Sequence, residues 1–160
     1  YRPHLRLVLL NALQRYGGSG SRITRYPMES LSDLERAVLL RLLEGDDPVL
    51  RALRDQVAVA GVREREFTGV GFFTYFLLGP EVHPVPLPNG VVHSPLVGEV
   101  DIQAENLRHG AGFVLFLKEG LLHFLEGYTK GGEPWPDDLG RYVVRRDAPP
   151  ESGEYAPRSG

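Results

Sequence analysis

The sequence predicts an α+β domain, an N-terminal helical hairpin packed on an antiparallel sheet of about five strands. Three observations carry this. Between residues 33 and 57 the apolar residues recur at helical spacing. After Gly61 the period changes to that of strands. Helices come first and strands follow in a block, which is the order of an α+β chain and not of repeated βαβ units.

The first helix of the hairpin is expected over residues 33–44. Ser32 with Glu35 three residues on is a capping box, and Leu34, Val38, Leu39, Leu42 and Leu43 make a broad apolar face. Gly45 stops it. Asp47 then caps a second helix with Pro48 in its first turn, carrying Val49, Leu50, Leu53 and Val57 inward. Residues 62–67 read as a charged strand, and residues 72–78 as a strand with almost no polar face, suited to burial on both sides or to an interface. Residues 79–96 hold five prolines and read as a long irregular loop. Strands follow over 96–104, 113–117 and 121–128, with the Glu119-Gly120 pair as a tight turn, and a last short strand over 141–144. From Arg146 onward the Pro, Ser, Gly and Glu content predicts a disordered tail.

Composition narrows the function. The 160 residues suit one core, placed over residues 28–145. No apolar run approaches the ~20 residues of a membrane span. The chain has no cysteine, which removes disulfides, thiolate metal sites and Cys nucleophiles, and fits a reducing, cytoplasmic setting. Residues 1–28 carry five arginines and no acid, whereas the remainder carries 13 basic and 21 acidic residues, a formal charge of −8. An acidic body argues against nucleic acid as the partner.

Residues 1–27 form a separate basic leader. Residues 3–16 have the pattern of a helix with Leu5, Val8, Leu9, Ala12 and Leu13 on one face, and Gly17-Gly18-Ser19-Gly20-Ser21 is a flexible linker. Met28 is the only methionine, so the leader reads as an extension ahead of a start at Met28. An organellar transit peptide and a basic amphipathic helix that docks on the acidic body or a membrane surface are the other readings.

Two segments share a pattern. Gly69-Val70-Gly71-Phe72 and Gly110-Ala111-Gly112-Phe113 each open an apolar strand, and each places an aromatic, Tyr75 or Phe116, three residues after the Phe. This reads as a weak internal repeat whose two strands lie near each other in one sheet. The glycines either bend the strands as bulges or leave bare backbone N–H groups for an anion. A dinucleotide-binding loop is excluded, because each pair opens a strand and the third glycine is missing.

Candidate chemistry is sparse. Glu64 with Glu66 and Glu99 with Asp101 are carboxylate pairs at strand spacing, suited to acid–base work or to a solvated face. Arg63 and Arg65 neighbour the first pair and could take it up in a cross-strand ladder. His123 reads as a half-buried structural residue. His109, beside the second glycine pair, is the best proton-transfer candidate, with Glu99 and Glu126 as its partners in an enzyme reading. There is no nucleophile elbow and no histidine spacing suited to a metal, and no cofactor is expected. Ligand or partner binding is placed on Gly69, Gly71, Gly110, Gly112, Tyr128 and Trp135, the last either a lid on the core or an anchor for a partner.

The segments REFTGVGFFT, HGAGF, LEGYT and EPWP, spread over roughly residues 33–138, resemble those of a small bacterial family of uncharacterised proteins. The resemblance does not reach the leader and assigns no activity. More generally, an acidic single domain of this size is similar in type to immunity proteins of bacterial toxin systems. The function expected is therefore a non-enzymatic protein-interaction domain, immunity-like, with a protein partner or a second copy as its ligand. A small enzyme or ligand-binding domain with a pocket at the glycine turns near His109 is the alternative.

Overall fold

A computed structural model describes residues 29–87, 93–94 and 99–146. The leader, residues 1–27, lies outside the described residues, as does all of the predicted tail except Arg146.

Two helices open the described chain, α1 (Asp33–Leu42) and α2 (Pro48–Val59). The capping box forms as its spacing requires. The Ser32 hydroxyl accepts from the Glu35 N–H at 3.2 Å, and the Glu35 carboxylate accepts from the Ser32 N–H at 2.7 Å. Asp47 caps α2 through the Val49 N–H at 2.7 Å. The joint between them turns at Gly45, whose φ of +134° suits glycine. Arg54 of α2 closes it by donating to the carbonyls of Leu43 and Gly45, acceptors that the end of α1 leaves open.

The sheet runs in the order β1 (Gly61–Phe67), β2 (Gly71–Leu77), β6 (Leu121–Thr129), β5 (Leu107–Lys118), β4 (Glu99–Ala104), β7 (Tyr142–Arg146), with antiparallel neighbours throughout. A two-residue strand, β3 (His93–Ser94), pairs with the far end of β5 inside the segment predicted as loop. The path therefore has six strands and not about five. The last one is firm because β4 offers it an open edge, with Asp101 opposite Arg145 and Ile102 opposite Val144. Arg146 belongs to this strand and not to a tail, and its guanidinium donates to the Glu44 carbonyl at 3.0 Å. Glu119 and Gly120 both have positive φ, 52° and 79°, and close the β5–β6 hairpin as expected.

The helices cover one face. Val38, Leu39, Leu42, Leu53 and Val57 pack with Phe72, Val100, Ile102, Phe113, Leu115 and Leu125 in one core. Gln56, 2% exposed, ties α2 to the hairpin with every polar atom used. It donates to the carbonyls of His83 and Gly120 and accepts from the Leu122 N–H, all at 3.0 Å. The opposite face carries a second cluster of Phe73, Tyr75, Val114, Phe116 and Phe124, with Tyr128 at its side.

The repeat sits astride β6. Gly71 and Gly112 both lie opposite Tyr128, and Phe72 and Phe113 both lie opposite Gly127. Their rings meet edge to face at 6.2 Å over that glycine. A Cβ at position 127 would stand 2.8 Å from Phe113 Cε1 and 3.0 Å from Phe72 Cε1. Gly127→Val is expected to cost about 1–3 kcal/mol by overpacking. The readout is the urea midpoint at unchanged m-value, and an unchanged midpoint would refute the packing argument.

Candidate functional site

A concavity lies where the N-terminus of α1 meets the β1–β2 turn. It has a volume of about 550 Å³ and is walled by Leu34, Phe67, Phe72, Trp135 and Pro136, with Glu35 and Arg65 also lining it. Trp135 stands edge-on to Phe72 at 4.9 Å and to Phe113 at 6.2 Å, so it closes one end of the helix-side core and walls the cleft as well. Its backbone N–H, which donates to the Gly69 carbonyl at 2.8 Å, holds it there. Phe67 stands at the mouth, 67% exposed.

Glu35 is 1% exposed and fully engaged. Its carboxylate accepts from Arg65 Nε and Nη2, both at 2.8 Å, from the Thr74 hydroxyl at 2.6 Å, and from the Ser32 N–H. Burial works against its charged form, but the Arg65 fork, Thr74 and Ser32 outweigh burial and hold the carboxyl below its ordinary range. Arg65 is correspondingly raised, chiefly by Glu35. Arg65 also reaches Glu29 at 2.6 Å and the Ser30 carbonyl at 3.0 Å. A carboxylate so completely paired has no role as a proton acceptor. The arrangement makes a rigid polar floor under an aromatic wall.

Sequence reasoning missed this floor. Glu35 was legible only as a cap, and Arg65 only as part of a charged strand ladder. A register shift between Val62 and Glu64 separates the two arginines. Arg63 lies over the Tyr75 ring at 5.4 Å on the second face, while Arg65 turns to the helices.

The expected catalytic set does not assemble. Glu99 and Glu126 both lie opposite Val114, two strand spacings or about 10 Å apart. His109 stands five residues away along β5, about 17 Å. His109 is exposed, with its ring against Gly131 and its backbone N–H donating to the Glu133 carboxylate at 2.9 Å.

The glycine positions divide likewise. At Gly112 the space of a side chain is taken by the Tyr128 ring, 2.5 Å from where a Cβ would stand, and the Tyr128 hydroxyl donates to Glu99 at 3.3 Å. Gly71 meets the Gly127 carbonyl. Gly110, at φ +70°, sits against the Ile102 carbonyl where the β4–β5 register shifts. Both Gly110 and Gly112 lie within β5 and do not lead into it. Of the four, Gly69 and Gly71 line the cleft. Trp135 and Tyr128 are on opposite faces, so the residues predicted to bind do not form one site. His123 is half-buried beside Tyr75 and Phe124, as expected of a structural residue. Leu122 and Phe124 stand two residues apart, a spacing that puts regular strand residues on one face, but a register shift opposite Phe116 and Leu117 sends them to opposite clusters.

Glu133 pins the loop after β6 by accepting from the N–H groups of His109 and Arg108, which lower its pKa. A carboxyl lowered in the folded state contributes stability above its unfolded pKa and loses it as pH falls through the folded value. Glu133→Gln is therefore expected to melt earlier at pH 7, with the gap to wild type closing below pH ~4. Equal gaps at both pH values would contradict this.

Among the described residues no group of three or more His, Asp or Glu could hold a metal ion, and no helix is long and apolar enough to cross a membrane. Comparison with protein-family models, curated proteins and solved structures finds no match for this chain.

Proposed function

We propose that this is a non-enzymatic protein-interaction domain whose binding site is the cleft beside Phe67 and Trp135. One observation carries the reading: an exposed phenylalanine stands at the mouth of an aromatic-walled cavity whose charged floor is already fully paired. Such a cleft suits an apolar or aromatic side chain from a partner, while the paired floor excludes unmatched charge. The acidic body supports a basic partner surface, and the immunity-like form of the reading makes that partner a toxin of the same cell. A homodimer through sheet edges has less support, because β1 presents Arg63, Glu64 and Glu66, and β7 presents Arg145.

The cleft's size also falls in the range of small-ligand pockets, which favours a ligand-binding domain as the second reading. One experiment separates them. Tagged full-length protein is purified from its native host and weighed by native mass spectrometry, alongside Phe67→Ser. Truncating an anchor of this kind costs about 2 kcal/mol, near thirtyfold in affinity. A stoichiometric protein partner held by wild type and lost with Phe67→Ser supports the proposal. A bound small molecule supports the second reading, and the bare chain sinks both.

A further inference from the structure

The second sheet face poses a packing problem. Phe73, Tyr75, Val114, Phe116 and Phe124 are only 1–5% exposed. Yet the buried apolar residues of α1 and α2 all belong to the cluster on the other face, and among the described residues the second cluster gains only Tyr128. Sheet faces this apolar need a second layer. Acids flank the cluster on both sides, Glu64 and Glu66 on β1 and Glu99 and Asp101 on β4, with Glu126 on β6 between them. Lys130 pairs with one oxygen of Asp101, and the other, Oδ1, is buried without a hydrogen-bond partner. A buried carboxylate oxygen left so is costly and favours a cationic donor nearby.

The chain itself carries a segment of complementary chemistry. Residues 1–28 hold five arginines and no acid. On a helix over residues 3–16, Leu5, Val8, Leu9, Ala12 and Leu13 form one stripe, and Arg6 and Arg15 fall about 90° to either side of its middle. We propose that residues 3–16 lie across this aromatic face as a tethered basic helix, forming the second layer of the sheet. The stripe then meets Phe73, Tyr75, Phe116 and Phe124, and the flanking arginines face the acid pairs on either side.

The tether permits it. Glu29 bridges to Val62 at the β1 edge. From there to β5 is three strand spacings, about 14 Å. The twelve residues 17–28 have a flexible r.m.s. reach of about 19 Å and an extended reach near 40 Å. The inference is independent of the cleft, which lies on the helix side.

A spin label tests it on the full chain. The absence of cysteine makes Asn11→Cys a unique labelling site, about 130° from the middle of the stripe. The amides of Tyr75, Val114 and Phe124 should broaden severalfold against the reduced label, and those of Val38 and Leu53 should not. In a mixture of labelled ¹⁴N chain with unlabelled ¹⁵N chain the broadening should vanish. Leu9→Glu with Leu13→Glu should raise hydrophobic-dye fluorescence severalfold by uncovering the face. Broadening absent from that face overturns the proposal. Broadening only in the mixture would put a second copy there, and broadening only with anionic vesicles would put the helix on a membrane instead.

Discussion

Glu35→Ala is expected to lower stability by about 3–5 kcal/mol, the cost of breaking a buried ion pair from one side. The substitution strands the Arg65 fork and the Thr74 hydroxyl, and it removes half of the capping box that starts α1. Glu35→Gln keeps the size but leaves Arg65 without its counter-charge, so most of the loss should remain. Pairing Glu35→Ala with Arg65→Met should recover part of it, because the stranded charge goes too. The same residue sets an acid limit. Its carboxyl is lowered in the fold, so its contribution is full above the unfolded carboxylate pKa and drains away as pH falls below it. Urea midpoints at pH 7 and pH 3 measure both effects. A loss under 1 kcal/mol at pH 7 would show that the network is incidental.

Phe113→Ala carries a comparable penalty for an apolar reason. Phe113 is wholly buried and touches Phe72 and Trp135 where β5, β6 and the closing loop meet. Truncation leaves a cavity that the aromatic neighbours cannot easily fill, at about 3–5 kcal/mol. For a chain of this size the melting point should fall by about 10–15 °C. Trp135, the only tryptophan, reports on the site directly, and its emission should shift to the red as its wall opens. A large fall in melting point with unchanged emission would place the damage elsewhere. Because Trp135 also walls the cleft, the partner binding we propose for it should weaken in the same variant under conditions where it is still folded.

Local order was written in the residues themselves. The capping box at Ser32 and Glu35, the Asp47-Pro48 start, the Glu119-Gly120 turn and the strand periods all act within a few residues, so spacing alone determines them. The kinship of the two Gly-x-Gly-Phe strands was legible as well, and they flank β6 as near neighbours. The tertiary structure decided what those features do. The cross-strand Tyr128 ring fills the space at Gly112, and backbone carbonyls crowd Gly71 and Gly110, so at these three positions close packing leaves no room for a side chain. His109 falls far from Glu99 and Glu126 because strand register, set over long separations, places them in different rows. The floor of the cleft joins Glu35 to Arg65 across thirty residues, and it exists only because one irregularity after Val62 turns Arg65 toward the helices. A shift of one residue in register exchanges the faces of a strand, and no local pattern announces it.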